Sequence, residues 1–349
     1  MKTLFQFIDS IKKEYPDSEL PFLKRQLKRV QSSKPYQGIR ILHNIPFTKE
    51  TIVKLEVLYA GGADVTVISP SFMEVDPTLV ASFIDAGGIW KDALTPNDSF
   101  DIHLDCAAEL LTHKQPAIGT VEITGTGTNK YKATTTYPVI SVDQSAIKML
   151  EGVLGTGEAF IRAFKQLATE EIHNKHFMIF GYGKVGKGIA HYLKKETPHI
   201  TIVENDPLKV AQAQQAGFNG LIARETTQVQ AAADKMDAIV TATGVRNVIS
   251  DTYDSTFFAS KYLANMGGED EFGTAFATED VLCNKMPINF FIEKPTLMRY
   301  LDPVFYAHNS GVDLLLFANL KNGLHPFPAF IADEVVEEWK TLFKESIPS

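Results

Sequence analysis

The sequence predicts an α/β protein of two doubly wound parallel sheets, and three observations carry that expectation. Short aliphatic and β-branched runs alternate with helical patterns along most of the chain, the order that builds parallel sheets. One unit, residues 176–206, ends a strand in a glycine-rich turn that opens a helix, and a second strand ending in an acid follows. The length, 349 residues, is enough for two domains with separate cores. Together these describe two Rossmann-like domains flanking a cleft.

The first 35 residues pattern as two short amphipathic helices broken at Tyr15-Pro16, with Ser32-Ser33-Lys34-Pro35 as an exit loop. Strand 39–42, helix 48–59 capped by Thr48, and strand 65–68 after the turn Gly61-Gly62 come next. A helix at 79–86 precedes strand 100–104, which runs into a helix at 107–111. Thr124-Gly125-Thr126-Gly127-Thr128 reads as a flexible, hydroxyl-rich loop. Strand 138–142 leads into a long helical stretch from about residue 145 through 169, interrupted at Gly155-Thr156-Gly157. A second α/β run starts at His176, with strands at 176–180, 200–203, 238–242, 262–265, 288–292 and 314–317. Residues 329–344 form an amphipathic helix carrying Ile331, Val335, Val336, Trp339 and Phe343; its acidic polar side suits packing on a domain rather than on a membrane. The expected domains are 1–152 with 326–349, and 153–325, with hinge crossings near Gly155 and Asn322.

The turn Gly181-Tyr182-Gly183-Lys184-Val185-Gly186 is a GxGxxG pattern between strand and helix. The first glycine permits the tight turn, the second lets backbone approach a pyrophosphate, and the third lets helix pack on strand. The phosphates would sit on the free N–H groups of the helix start. Glu204 closes the second strand at the spacing of the acid that binds an adenosine ribose. A carboxylate there repels a 2′-phosphate, so the expected cofactor is NAD rather than NADP.

Composition excludes several classes. With 44% hydrophobic and 22% charged residues the chain reads as a soluble globular protein, not a disordered one. A net charge of −8 without a long basic block argues against nucleic acid as the main partner. Two cysteines, Cys106 and Cys283, form no disulfide framework and suggest a reducing, cytoplasmic setting. The apolar N-terminal pattern is interrupted by Gln6, Asp9 and Ser10 too soon for a signal peptide, and no run has the length of a membrane span. His173 and His176 straddle a change from helix to strand and lack a third ligand, so no metal site is expected. Ser145-Ala146-Ile147-Lys148 matches the SxxK pattern of serine acylases, but no KTG accompanies it.

Several segments resemble the adenosylhomocysteinase (S-adenosylhomocysteine hydrolase) family, in that family's order. They are Glu19-Leu20-Pro21-Phe22-Leu23, Ser33-Lys34-Pro35 with Gly38-Ile39-Arg40-Ile41, and Gly61-Gly62-Ala63-Asp64-Val65. The glycine turn with Val203-Glu204-Asn205-Asp206-Pro207 follows, then Thr241-Ala242-Thr243-Gly244, Asn265-Met266-Gly267, Asn319-Leu320 and His325-Pro326. The resemblance implies tightly held NAD used in a closed cycle: oxidation of a ribose 3′-hydroxyl, elimination of the 5′ thiol, addition of water and re-reduction. It also implies a small-molecule nucleoside substrate and a homo-oligomer. A dimer is favoured, because the family's C-terminal extension does not follow Ser349.

Carried over by position, the resemblance assigns Gly181, Tyr182, Gly183, Lys184, Val185, Gly186, Glu204, Thr124, Thr126, Thr243, Gly244, Asn265 and Asn319 to the cofactor. Thr48, Glu50 and Thr51 line the adenine pocket, Lys148 takes the ribose-hydroxyl position with Glu151 as its acidic partner, and His325 is a pocket histidine. The elimination machinery is substituted. Family acid–base positions hold Pro46, Cys106 and Gly268, and the glutamate before the threonine loop is Ile123, or Glu122 one position earlier. The asparagine after the lysine–acid pair is Gly152. Hydrolysis is therefore expected to be weaker than ribose oxidation. Another NAD-dependent oxidoreductase, or a non-catalytic NAD- or nucleoside-binding protein, are the alternatives.

Overall fold

The computed structural model describes residues 3–71, 73–133, 136–168 and 171–348. The chain divides into two compact units. Unit 1 comprises the residues up to Lys148 together with Met298–Glu345, and unit 2 comprises Met149–Leu297 with the last residues of the chain. In chain order the strands of unit 1 are β1 (Arg40–Asn44), β2 (Asp64–Ile68), β3 (Ile89–Trp90), β4 (Ile102–Asp105), β5 (Gly119–Glu122) and β6 (Pro138–Ser141). Unit 2 holds β7 (Phe177–Phe180), β8 (Ile200–Glu204), β9 (Asn219–Ile222), β10 (Ala238–Thr241) and β11 (Tyr262–Asn265); β12 (Gly323–Pro326) returns to unit 1.

The unit 1 sheet is parallel, in the order β12-β6-β5-β4-β1-β2-β3. Its central strands β4 and β5 are buried along their whole length, as expected where both faces are covered. The helix Met298–Phe317 crosses β5 closely because Gly311 has no side chain; a Cβ there would come within 2.5 Å of Val121. The same helix carries Asp302, whose carboxylate accepts the Phe22 and Leu23 amides (2.8 and 3.0 Å) and so binds the start of the helix Pro21–Ser33. Trp339, fully buried, donates Nε1–H to the Arg299 carbonyl at 2.6 Å and seats the helix Ala329–Phe343 in unit 1.

Unit 2 has a five-stranded parallel sheet in the order β11-β10-β7-β8-β9. The strand order reverses between β7 and β10, the position at which such sheets take their ligands. Its core on one face gathers Met178, Phe180, Ile239, Phe258 and Phe272. On the opposite side the helix Thr156–Leu167 packs against the helix Lys184–Leu193 through two glycines. A Cβ on Gly157 would meet Gly188 backbone at 2.3 Å, and one on Gly188 would meet the Val153 carbonyl at 1.9 Å. Among the described residues no helix is long and apolar enough to cross a membrane.

The structure departs from the sequence reading at definite places. Residues 288–292 are not a strand but a 3₁₀ turn, Ile288–Phe291, and 314–317 are the last turn of the helix Met298–Phe317. A short apolar run does not by itself separate strand from helix. The chain returns to unit 1 at Met298, not near Asn322, because this helix packs on β5 and β12 pairs with β6. Residues 107–111 are not an α-helix: Ala107 and Ala108 are left-handed (φ 61 and 54°), followed by the 3₁₀ turn Glu109–Thr112. Thr124–Thr128 is not a flexible loop but the capped start of the helix Gly125–Tyr131. The stretch after Ser145 is a π-helical segment, Leu150–Gly155, that continues as the helix Thr156–Leu167; Thr169 lies outside the described residues.

Candidate functional site

In the glycine turn of unit 2, Gly181 and Gly186 meet the steric demands expected of them. Gly181 is left-handed (φ 96°), and a Cβ there would lie 2.5 Å from the Ala242 carbonyl oxygen. A Cβ on Gly186 would lie 2.0 Å from the Gly181 carbonyl, so this glycine lets the helix start press on the end of β7. Gly183 differs from both: its backbone is extended and a Cβ would meet nothing within 4 Å. Gly183 caps the helix Lys184–Leu193 without a side-chain hydrogen bond. That arrangement is an open cradle at the positive end of a helix, the environment a pyrophosphate requires.

Glu204, at the end of the neighbouring β8, is fixed beside this turn. One carboxylate oxygen accepts the Tyr182 amide (2.9 Å), the other the Asn205 and Asp206 amides (2.7 and 3.1 Å). Lys209 Nζ stands 3.8 Å from the first oxygen. A carboxylate held in this way suits an acceptor of ribose hydroxyls and would repel a further phosphate.

On the other side of the switch, the loop after β10 is braced by a residue that sequence reasoning missed. Glu271 is fully buried and accepts the Thr243 amide (2.9 Å), the Thr243 hydroxyl (2.8 Å) and the Gly244 amide (2.6 Å). Burial pushes its pKa up and these hydrogen bonds oppose the shift. Gly267 makes room for it, since a Cβ there would lie 1.8 Å from Glu271 Oε1. Asn265 is buried too. Its Oδ1 accepts the Thr241 hydroxyl and the Gly267 amide (both 3.0 Å), and its Nδ2 donates to the Glu269 and Lys285 carbonyls (both 2.7 Å). Thr243 and Asn265 thus shape the loop, and the sequence signal for Glu271 was only an acid six residues beyond Asn265.

In unit 1 four polar side chains end adjacent strands at their carboxyl edge: Asn44, Asp105, Glu122 and Ser141. Asp105 accepts Asn44 Nδ2 (3.0 Å), the Cys106 and Leu110 amides (2.8 and 3.1 Å) and the Tyr131 hydroxyl (2.6 Å). Glu122 accepts the Ala107, Ala108 and Thr124 amides (3.2, 2.9 and 2.7 Å) and the Thr124 hydroxyl (2.6 Å). Burial, then the charge of Asp105, pushes Glu122 up to about 7. Both acids hold the left-handed Ala107-Ala108 turn in place. Cys106, next to it, is buried.

The residues that the sequence assigned to substrate and catalysis are distributed unevenly. Thr48 and Thr51 form a capping box at the helix Lys49–Ala60, and the Thr51 hydroxyl reaches the Pro46 carbonyl at 2.9 Å. Glu50, nearly buried, accepts the Tyr15 hydroxyl at 2.6 Å. The Thr124 hydroxyl accepts the Ala107 and Gly127 amides (3.0 and 3.1 Å), while Thr126 is exposed. Lys148 ends the first stretch of unit 1, and Glu151 lies in the π-helical segment near the start of unit 2. His325 Nε2 meets the Lys321 carbonyl at 2.7 Å, and Asn319 sits exposed in a left-handed turn after the helix Met298–Phe317, in unit 1. Missed altogether was a buried cluster under the β1 and β5 strands. His43, Lys54 and His308 are all fully buried, and His43 Nδ1 and Nε2, Lys54 Nζ and His308 Nδ1 have no hydrogen-bond partner among the described residues. Burial lowers all three pKa values, and the charges of Lys54 and Lys148 also bear on His308.

Comparison with known proteins agrees with this geometry. Residues 152–280 match the family model described as S-adenosyl-L-homocysteine hydrolase, NAD binding domain. An adenosylhomocysteinase of Sulfolobus acidocaldarius is 28% identical over 281 residues, covering 73% of this chain and 66% of that protein. That of Aeropyrum pernix is 26% identical over 309 residues, covering 80% and 73%. The S-inosyl-L-homocysteine hydrolase of Methanopyrus kandleri is 25% identical over 284 residues, covering 74% and 66%. The chain spans about two thirds of the length of the curated relatives it matches. In fold it is similar to a dipicolinate synthase chain of Bacillus halodurans, with a TM-score of 0.53 at 11% identity over 80% of this chain and 98% of that one. Unit 2 thus carries a match to the NAD-binding domain of the S-adenosyl-L-homocysteine hydrolase type, and most of the chain is similar, at 25–28% identity, to adenosylhomocysteinases and an S-inosyl-L-homocysteine hydrolase.

Proposed function

We propose that the chain holds NAD on unit 2 and engages the ribose 3′-hydroxyl of a nucleoside, with adenosylhomocysteine or a related nucleoside thioether as its substrate class. The observation that carries the reading is the open position at Gly183 beside the fixed carboxylate of Glu204. Bound NAD would supply the hydride acceptor for the carbon bearing that hydroxyl. The remaining work falls to the chain's own residues. Lys148 is the residue assigned to draw the proton from the hydroxyl, with Glu151 and His325 as its supporting groups. Its charge bears on the buried His308, which places Lys148 beside the desolvated His43–Lys54–His308 cluster.

Glu50 is an acceptor at the position assigned to the base, with Thr48 and Thr51 shaping the wall around it. A carboxylate suits a base edge that donates: the amino group of adenine or the N1–H of hypoxanthine, the base in the name of the Methanopyrus relative. Thr124, Thr126 and Asn319 are assigned to the cofactor by the same likeness. Pro46 and Gly268 carry no proton, and Cys106 is buried at 5% exposure. Each lost general acid–base group typically costs about 10²–10⁴-fold in rate, so elimination and hydration should be slow. The hydroxyls of Thr51 and Thr124 are committed to local hydrogen bonds, which favours, as a second reading, nucleoside binding without turnover.

The test mixes NAD-loaded protein with adenosine or inosine and follows the reduced-nicotinamide absorbance, with thiol release from adenosylhomocysteine assayed separately. Partial cofactor reduction that Lys148→Ala abolishes, with little thiol released, is the expected result. Rapid thiol release would overturn the reading of the substituted positions. Nucleoside binding without any cofactor reduction would establish the second reading instead.

A further inference from the structure

Unit 1 carries a second concave site that the proposed chemistry does not use. Two successive connections, from β3 to β4 and from β4 to β5, cross the sheet without an α-helix; among the described residues the second has only the 3₁₀ turn Glu109–Thr112. They leave a basin of about 330 Å³ on the sheet face, within the range of small-ligand pockets. Its floor is Leu42 of β1 and His103 of β4, which are register partners, and its walls include Leu94, Phe100, His113 and Lys114. His103 is the second residue of β4, whereas Asp105 ends that strand, so the basin lies on the strand's amino-terminal half. Ligands of the main site in a parallel sheet approach the carboxyl edge instead.

The groups around the basin have a definite chemistry. His103 is 2% exposed, and its side chain has no hydrogen bond among the described residues; Nδ1 is buried without a partner. Burial, with a smaller effect from His113, lowers its pKa to about 4, so at neutral pH the ring is neutral and offers one donor and one acceptor. Phe100 packs edge-on against it (centroids 6.2 Å apart, planes at 64°) and fixes the ring. A buried polar group left unpaired is costly, which makes it a recognition element for a ligand that pairs it. Asp98, the acid at the rim, is ion-paired with Lys91 and also accepts the Thr95 amide and hydroxyl (2.7 and 3.0 Å). Lys114 has no ion pair among the described residues and is exposed beside His113. The basin thus has apolar wall residues in Leu94, Pro96 and Phe100 among polar ones, an unpaired hydrogen-bonding group at its floor, and Lys114 at its rim as the cation not ion-paired among the described residues.

We propose that this basin binds a small planar heteroaromatic carboxylate, its ring between Leu94 and Phe100, a ring N–H or carbonyl on His103 and its carboxylate toward Lys114 and His113. The probe is orotate, a pyrimidine carboxylate. Benzoate, which has the ring and charge without polar ring atoms, and acetate, which has the charge alone, are the comparisons. Orotate is titrated into the full chain while the imidazole resonances of His103 are followed by NMR, with calorimetry for affinity. Saturable binding with a shifted His103 signal is expected, weaker for benzoate and absent for acetate. Lys114→Ala should weaken orotate by about tenfold, the scale of one charge-assisted contact. His103→Leu, which removes an unpaired buried polar group and should therefore fold, should reduce the orotate preference over benzoate to none. Glu204→Ala should leave the affinity unchanged, which separates this basin from the cofactor site. The proposal is wrong if orotate does not saturate, if benzoate binds equally well to the wild type, or if neither Lys114→Ala nor His103→Leu changes the affinity.

Discussion

Gly183→Ala separates the cofactor function of the turn from its structural one. The backbone of Gly183 is extended, with φ −82°, a value any residue adopts, and a Cβ there would meet nothing within 4 Å. Alanine should therefore fold without strain and raise stability by about 0.4–1 kcal/mol through the unfolded chain. The same methyl would stand where a pyrophosphate must approach the backbone. NAD affinity should fall by at least about a hundredfold, ~2.8 kcal/mol. Gly186→Ala is the opposite case, because its Cβ would lie 2.0 Å from the Gly181 carbonyl. Forcing the backbone apart at such a contact costs about 1–3 kcal/mol or more, so that variant should lose stability as well as cofactor. Calorimetric titration of NAD, beside thermal unfolding followed by circular dichroism, reads both quantities. A Gly183→Ala protein that is stable and binds NAD like the wild type would refute the placement of the pyrophosphate. A Gly183→Ala protein that is unstable would refute the reading of the turn as open.

Two further outcomes follow from buried polar groups. Lys54 is fully buried without a hydrogen-bond partner, and burial lowers its pKa, so the unfolded chain binds its proton more readily than the folded one. Its presence costs stability increasingly as pH falls below the ordinary lysine value; Lys54→Met should stabilise by about 1–4 kcal/mol near neutral pH and by less near pH ~10, measured by urea unfolding at each. Glu271 accepts three donors from Thr243 and Gly244, and an amide in its place cannot accept all of them. Glu271→Gln should lower stability by about 1–3 kcal/mol and weaken NAD although Glu271 is placed only as a brace, with differential scanning calorimetry and NAD titration as the readouts.

Much of unit 2 could be read from the sequence because its signals are local. The strand, Gly181–Gly186, the helix and Glu204 fall within thirty residues, and the spacing of the three glycines is a local pattern whether the position is crowded, as at Gly181 and Gly186, or open, as at Gly183. Signals that depend on distant contacts could not be read. Nothing in the sequence near Thr243 indicates that Glu271 binds its amide. The threonine-rich segment 124–128 has poor helix formers, yet it is helical because Thr124 caps it and Gly127 fits over the buried Glu122; a Cβ on Gly127 would lie 2.2 Å from that carboxyl. Leu314–Phe317 has the composition of a core strand, and only the twenty-residue helix that contains it decides otherwise. The cluster of His43, Lys54 and His308 joins a strand and two helices from distant parts of the chain, so no spacing announces it. In the candidate site the family likeness named the positions, but not that the Thr51 and Thr124 hydroxyls would be used in holding the turns.

The most direct measurement is a pair of calorimetric titrations of the purified, cofactor-stripped protein, one with NAD and one with NADP. Glu204, held by three backbone amides at the end of β8, should accept the ribose hydroxyls of NAD and exclude the 2′-phosphate by like charge. NAD should bind at one site per chain, and NADP at least about a hundredfold more weakly, the scale of several kcal/mol that juxtaposed like charges cost. In Glu204→Ala the two affinities should converge. No NAD binding, or equal binding of both cofactors by the wild type, would contradict an NAD site built on the Gly181–Gly186 turn and Glu204.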